Sequence, residues 1–542
     1  MGCESMIFSN QGALAYRGLK TILHRQVHIF EQGLFNPQLA QEKVFQKICR
    51  NMQKTQIAQE KGYEKLGTLS DFRHKIPIQD FECYRPYVQR IVEGQHKVLS
   101  QEPCLGFVET SGTMSKSKWI PVTQSWSQHI QQAQSLWMLA LLQDYPMIAK
   151  GHTWNIVSSD HSTQTALGLP VGANTGRMLN ALPKIFRNRA ATPSQVQDLV
   201  DEEIRQYVNL RFALQSNVTV WSTANPSTVL LYCRRLIEWQ DFLAVDLQNG
   251  TLCQGPASRL SPDIQQKFHP QLRKMPVPRK WLPAAIWPLQ VVNCWKGGPA
   301  AFFVQQLPEA LGADIPVRDV GITASEGYFA LPLNQHWQGG VLWNHGELLE
   351  FRDTQGQVFW SWELELGQQY ELIISGLNGL LRYDLKDVVE VTDFVEATPI
   401  IRFVGKAGRF LNAVGEKITE EQMVLAVNRL SHKPKFFTAF IKMATLPHIE
   451  ICMEGLSQVD LAHLSRELDE TLAQISSEYA SKRQTYRLGA LVIHVVREGT
   501  YEQFRYWRID NGATEAQVKD CIIATESEWA QIWKSQEDAS SK

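Results

Sequence analysis

Four short segments carry residue types that could do chemistry together. The first, ETSGTMSKSKWIP, holds Thr110, Ser111, Gly112, Thr113, Lys116 and Lys118. Small residues let a backbone approach a ligand closely, hydroxyls donate hydrogen bonds, and lysines add positive charge, a combination suited to a polyphosphate. No GxxxxGK[ST] string occurs, so this is not a Walker loop. The second segment, DVGITASEGYFALP, holds Thr323, Ser325 and Glu326. A glutamate at the end of a predicted strand could hold Mg²⁺, which prefers oxygen ligands and phosphate partners, and strand carboxyl ends are where open α/β sheets place ligands. The third, YELIISGLNGLLRYDLKDVVEV, runs from a strand through a glycine turn to Arg382, Tyr383 and Asp387, a carboxylate able to accept two hydrogen bonds from ribose hydroxyls. The fourth, FVGKAGRFLNAVGEKITEEQM, has Gly405, Gly408 and Gly415 for unusual backbone angles and Lys417 placed to reach a site between domains. Taken singly, each segment also suits a plain structural part. These are a turn, a helix start capped by Ser325 or Glu326, a hairpin with a solvated Asp387, and a linker before a helix begun by Thr419 and Glu420.

The elements that must position these residues alternate between helix and strand. The first hundred residues read mainly as helices, with Phe45, Ile48 and Met52 at helical spacing and Asp80–Phe81 suggesting a turn. Asn225 before Pro226 is a helix start ahead of Val229–Leu243. Strand-like runs follow at Leu289–Val292, Val317–Ile322, Glu347–Phe351, Val358–Trp360 and Tyr370–Ser375, so the expected class is α/β. Beyond a hinge expected near 405–412, strands are predicted at Phe436–Ile441, His448–Met453 and Ala490–Val496. There Leu461, Leu464, Leu468, Leu472 and Ile475 form one face of a long helix. The expectation is a large N-terminal body, residues 1–408, and a smaller α+β domain, residues 412–542.

Composition removes other classes. In 542 residues, 54 Lys+Arg against 55 Asp+Glu leave a net charge of −1, which speaks against a polybasic nucleic-acid binder. No apolar run approaches the roughly 18 residues of a membrane span. The start has no basic leader and apolar core, and Met6 stands where a myristoylation signal needs Ser or Thr, so the chain reads as cytoplasmic. Nine cysteines are scattered without CxxC spacing, as in a reduced chain with no zinc framework.

In this order, the four segments resemble the adenylate-forming superfamily, whose phosphate loop reads TSGTTGxPK; here TSGTMSKSK aligns Lys118 with the loop lysine. The closer resemblance is to the Gretchen Hagen-type acyl acid amido synthetases, including their bacterial relatives. It rests on SGT…KWIP, ASEG, ELGQQYELIIS, GLLRYDLKD and LNAVGEK, with IPIQDFECYRPYVQRIVEG upstream and GTYEQFRYWRIDNGATEAQVK near the C-terminus. It spans residues from about 40 to 525. Departures are Met114, Ser115 and Ser117 in the loop, Ile322 where a Tyr often stacks on adenine, Leu381 for a common Tyr, Asp384 and Lys386 in the third motif, and Asn412 at the hinge.

The resemblance implies the following roles. Thr110, Ser111, Gly112 and Thr113 would bind ATP phosphates, with Lys116 and Lys118 nearby, and Glu326 would hold Mg²⁺. Thr323 and Ser325 would border the adenine and the α-phosphate, and Asp387 would hold the ribose. Lys417 and Lys519 would enter the site from the smaller domain. The implied reaction joins a small carboxylic acid to ATP as an acyl adenylate and passes the acyl group to an amine such as an amino acid. The rivals are transfer to a thiol and a catalytically weak nucleotide-binding homologue. For the acyl pocket, Ser158–Gly176 with Asp160 and His161, and the walls Trp221 and Trp295, are candidates without catalytic status.

Overall fold

The computed structural model describes residues 7–9, 12–110, 118–181, 187–457, 459–511 and 520–539. The chain divides into two compact units, residues 1–296 with 306–403, and residues 297–305 with 404–513 and 518–542. The architecture is the expected mixture of helix and sheet, with a large N-terminal body and a smaller C-terminal part.

The first unit opens with helices from Leu14–Ile22 to Phe81–Val92. Asp80 is not a turn residue: its carboxylate accepts from the Glu82 N–H and caps the helix Phe81–Val92. Asn225 caps Pro226–Glu238 in the same way, and the apolar run expected as one helix breaks at Trp239, where a second helix, Gln240–Asn249, begins.

Three sheets matter for the site. A parallel sheet orders His152–Ile156, Val218–Thr223, Val291–Asn293 and Val317–Arg318. Alternation along its strands gives it two different faces. One carries Trp154 and Trp221, stacked with ring centroids 4.3 Å apart and packed on Tyr232 and Trp287. The other carries Asn155, Ser222 and Asn293, opposite one another in register, beneath the helix Gln124–Asp144. A smaller sheet pairs Gly106–Thr110 with Lys118–Val122, so that Thr110 stands opposite Lys118 at the strand ends. An eight-stranded sheet contains Ile322–Ala324, Gly327–Leu331, Leu348–Arg352, Gln369–Ser375 and Tyr383–Val395. The single strand expected over Val317–Ile322 is two, in different sheets. Gly321 at φ +93° turns the chain between them, and its N–H donates to Asp319 Oδ1 at 2.8 Å.

The second unit pairs Phe436–Lys442 with His448–Glu454, and the latter with Val492–Val496. Leu464, Leu468 and Leu472 of the helix Leu461–Ile475 are fully buried, whereas the end members of the expected stripe, Leu461 and Ile475, are exposed and half-buried. Phe302 belongs to this unit and meets Phe437 edge to face at 4.9 Å. No helix among the described residues is long and apolar enough to cross a membrane.

Two buried histidines of the first unit make its stability depend on acid. Burial, then the charge of Lys47, lowers both His129 and His345 to about 4. The folded chain therefore binds fewer protons than the unfolded chain between the ordinary histidine value of 6.5 and about 4. Stability is fully present above that window and falls as pH drops through it. His129→Gln should flatten the loss of thermal stability between pH 7 and pH 4.5; a variant that loses stability as steeply as the parent would contradict this.

Candidate active site

The turn that carries Glu326 is a hairpin, not a helix start. Ala324 pairs with Gly327, and Ser325 and Glu326 form the tip. Side chains from two helices clamp its backbone: Asn174 Nδ2 donates to the Ala324 carbonyl at 3.0 Å and Trp126 Nε1 to the Glu326 carbonyl at 2.8 Å. A Cβ at position 327 would lie 2.5 Å from Glu347 Oε1, so any larger residue there would have to displace that carboxyl. Burial pushes that Glu347 carboxyl up to about 8. The clamped Glu326 is 7 % exposed.

Glu326 meets Tyr383, whose hydroxyl donates to the carboxylate. Lys118 Nζ donates to the same hydroxyl at 3.4 Å and lies 5.8 Å from the Phe81 ring. Burial, then the negative charges of Glu326, Asp80 and Asp387, keep the Tyr383 phenol protonated far above its ordinary range. A cation, a neutral hydroxyl and a carboxylate from three distant segments thus converge, with the Asp387 carboxylate close enough to act on Tyr383.

Arg382 sets this geometry from behind. Its backbone stands at φ +45°, its N–H donates to Ser375 Oγ at 2.8 Å, and its carbonyl accepts from the Gln79 N–H at 3.0 Å. Its guanidinium makes two hydrogen bonds to the buried Glu350 carboxylate, at 2.9 and 3.1 Å. Asp384 is tied to Arg352 and Lys386; despite burial, which pushes it up, hydrogen bonds from Lys386 and Arg352 hold its carboxyl below the usual carboxylate value. Arg382 and Asp384 therefore build the strand start, while Tyr383 between them faces the site.

A cavity of about 160 Å³ lies between the helix Gln124–Asp144 and the parallel sheet and reaches Thr323. Trp137, Met138, Leu141, Val220 and Trp295 are among its walls. Trp295 thus lines a cavity, whereas Trp221 faces the other side of the sheet, in the aromatic core. His161 is an exposed loop residue that meets Asp160 at 2.7 Å and Asp198 at 3.3 Å. Mg²⁺ is held typically by one or two carboxylates together with substrate phosphates. Buried Glu326 fits that donor set, and no group of three or more His, Cys, Asp or Glu able to hold a metal occurs among the described residues.

Of the sequence-derived residues, the first unit brings together Lys118, Glu326 and Asp387 around Tyr383, with Thr110 opposite Lys118 and Thr323 on the cavity. Ser325 is half-buried at the hairpin tip. Ser111, Gly112, Thr113 and Lys116, and the departures Met114, Ser115 and Ser117, lie outside the described residues, as does Lys519. Lys417, in the second unit, is exposed at φ +41° beside buried Glu416, whose carboxylate accepts the Ala413 and Val414 N–H groups at 2.6 and 2.8 Å. Tyr383 had no role in the sequence reading; its only signal was a phenol inside a motif with two charged neighbours. The clamps Trp126 and Asn174 had none.

Comparison with known proteins supplies the relationship. Residues 26–317 match the profile of the GH3 family N-terminal domain, 342–406 that of the central domain and 419–528 that of the C-terminal domain. A jasmonoyl–L-amino acid synthetase of Nicotiana attenuata is 24% identical, over 91% of this chain and 93% of that one. An indole-3-acetic acid–amido synthetase of Oryza sativa subsp. indica is 26% identical, over 91% and 89%. Among solved structures, the GH3.15 acyl acid amido synthetase superposes with a TM-score of 0.82 at 19% identity, covering 98% of this chain and 97% of that chain. A 2-hydroxyisobutyryl-CoA ligase bound to its acyl adenylate shares the fold at a TM-score of 0.53 and 14% identity, over 98% and 94%. With the N-terminal profile alone covering more than half of its length, this chain belongs to the GH3 family, the one its motifs resemble.

Proposed function

We propose that this protein is an AMP-forming acyl acid amido synthetase. A carboxylic acid attacks the α-phosphate of ATP, giving an acyl adenylate and pyrophosphate; an amine, such as that of an amino acid, then attacks the acyl carbon and releases AMP. The observation that carries this reading is the convergence of Lys118, Tyr383 and Glu326 beside an apolar cavity that reaches Thr323. Family membership supports it, as do the names of the relatives, which describe synthetases joining jasmonate or indole-3-acetic acid to an amine.

The first half-reaction brings two anions together, so catalysis is positioning plus charge neutralisation. In this reading Thr110, Ser111, Gly112, Thr113 and Lys116 hold the triphosphate. Lys118, oriented by the Tyr383 hydroxyl, neutralises charge on the reacting phosphate. Mg²⁺ bound through Glu326 would offset the charge of the departing pyrophosphate. Thr323 and Ser325 border the nucleotide and Asp387 takes the ribose hydroxyls. Lys417 and Lys519 act from the smaller domain, which reorients about residues 405–412 between the half-reactions and gates access. A cytoplasmic location belongs to the same reading.

Carboxylate-dependent exchange of labelled pyrophosphate into ATP tests it. Exchange with particular acids is the expected result, followed by an acyl amide when an amine is added. A product mass showing a thioester with coenzyme A, or ATP binding with no exchange across a broad acid panel, would refute the amide-forming assignment.

A further inference from the structure

The cavity beneath the helix Gln124–Asp144 is apolar over much of its wall, with three buried polar side chains whose oxygens have no partner: Thr223, 3 % exposed, whose hydroxyl can give or take a hydrogen bond, and two amides. Asn293 stands in the polar row Asn155–Ser222–Asn293 of the parallel sheet; it is 2 % exposed, and its Oδ1 has no hydrogen-bond partner. Gln134, on the helix that forms another wall, is 9 % exposed, and its Oε1 is likewise unpartnered. Buried polar atoms are nearly always hydrogen-bonded, and an amide oxygen left alone keeps its full desolvation cost. The two amide oxygens can only accept, so the partner each of them lacks is a donor. Trp137, Trp295 and Tyr328 add flat walls. The volume, about 160 Å³, suits one six-membered ring, since a dry cavity of about 150 Å³ takes up benzene.

We propose that Asn293 and Gln134 are specificity-determining residues that select a monocyclic aromatic carboxylic acid bearing a ring hydroxyl. The hydroxyl donates to one of the two amide oxygens while the ring lies against the indole walls. The acid's carboxylate then points toward the Thr323 end. This rests on the acyl-adenylating reading, because it takes the cavity as the acid's seat. Selectivity comes chiefly from rejection: an acid with a methyl group in place of the hydroxyl leaves that amide oxygen unpaired, the situation in which binding sites discriminate most strongly.

The test uses the full chain and calorimetric binding of 3- and 4-hydroxyphenylacetate, each beside its methyl counterpart. At least one hydroxylated acid should bind the parent protein about tenfold or more tightly than its methyl partner. Asn293→Leu, close in shape to asparagine, should shrink that preference to about threefold or less by binding the methyl acid better, and Gln134→Met should move it in the same direction. Equal binding of both members of each pair, no binding by either hydroxylated acid, or a preference unchanged in both variants would overturn the proposal. Pyrophosphate exchange separates it from the reading it rests on. A hydroxyl preference in binding without exchange sinks adenylation and leaves the pocket chemistry standing. Exchange without the preference does the reverse.

Discussion

Replacing Glu326 by Gln lowers acid-dependent pyrophosphate exchange by a factor on the order of 10²–10³, the usual cost of removing one oriented group that stabilises transition-state charge, and leaves the fold intact. The amide keeps an acceptor for the Tyr383 hydroxyl and does not touch the Trp126 bond, which goes to the main-chain carbonyl. What it removes is the negative charge that would hold Mg²⁺ in the proposed reaction. The expected signature is a loss in kcat together with a raised Mg²⁺ requirement, while the thermal transition stays where it was. Exchange within about threefold of the parent would remove Glu326 from the mechanism, because so small a change is below the cost of any single electrostatic contact of this kind.

The second large effect is on stability. Glu350→Leu should cost about 3–5 kcal/mol, the penalty for leaving a buried charge without its partner. Glu350 is 1 % exposed and receives Arg382 at 2.9 and 3.1 Å and Arg73 at 2.9 Å. Arg382 also donates to the carbonyls of Arg73 and Ile76, and Arg73 lies 3.6 Å from the Trp360 ring. The substitution therefore strands one fully buried guanidinium and one half-buried one. Urea unfolding of the first unit reads the effect as a lowered midpoint. Adding Arg382→Met to Glu350→Leu should recover much of the loss, since an apolar replacement of a whole buried pair is often neutral. A single variant as stable as the parent would show that the pair contributes nothing. Activity should fall as well, because Arg382 is the residue before Tyr383 and its strained φ of +45° is held by these bonds.

Much of the fold was legible because its signals are short-range. Asn225 before Pro226 caps a helix through bonds to its own next residues. The stripe Leu464, Leu468, Leu472 needs only helical spacing to declare its buried face. The strands at Val358–Trp360 and Phe436–Lys442 show as β-branched and aromatic runs. The four ligand-like segments were visible for the same reason: each is a local string of residue types, and their order along the chain carried the family resemblance.

Which side chains meet could not be read that way. Lys118 and Tyr383 are 265 positions apart and touch only because separate sheets bring their strand ends together. Glu350 looks misplaced in a buried strand until Arg382, 32 positions on, is folded against it. Asp80 read as a turn residue because Pro86 interrupts the helical pattern that its local cap begins, and Trp221 read as a pocket wall because the sequence does not say which face of a parallel sheet is covered by which layer. The sequence by itself determined the elements and the stock of reactive groups. The tertiary structure alone decided the site. Charges and hydroxyls act over a few ångströms of space, and strand pairing sets those distances between residues that are hundreds of positions apart.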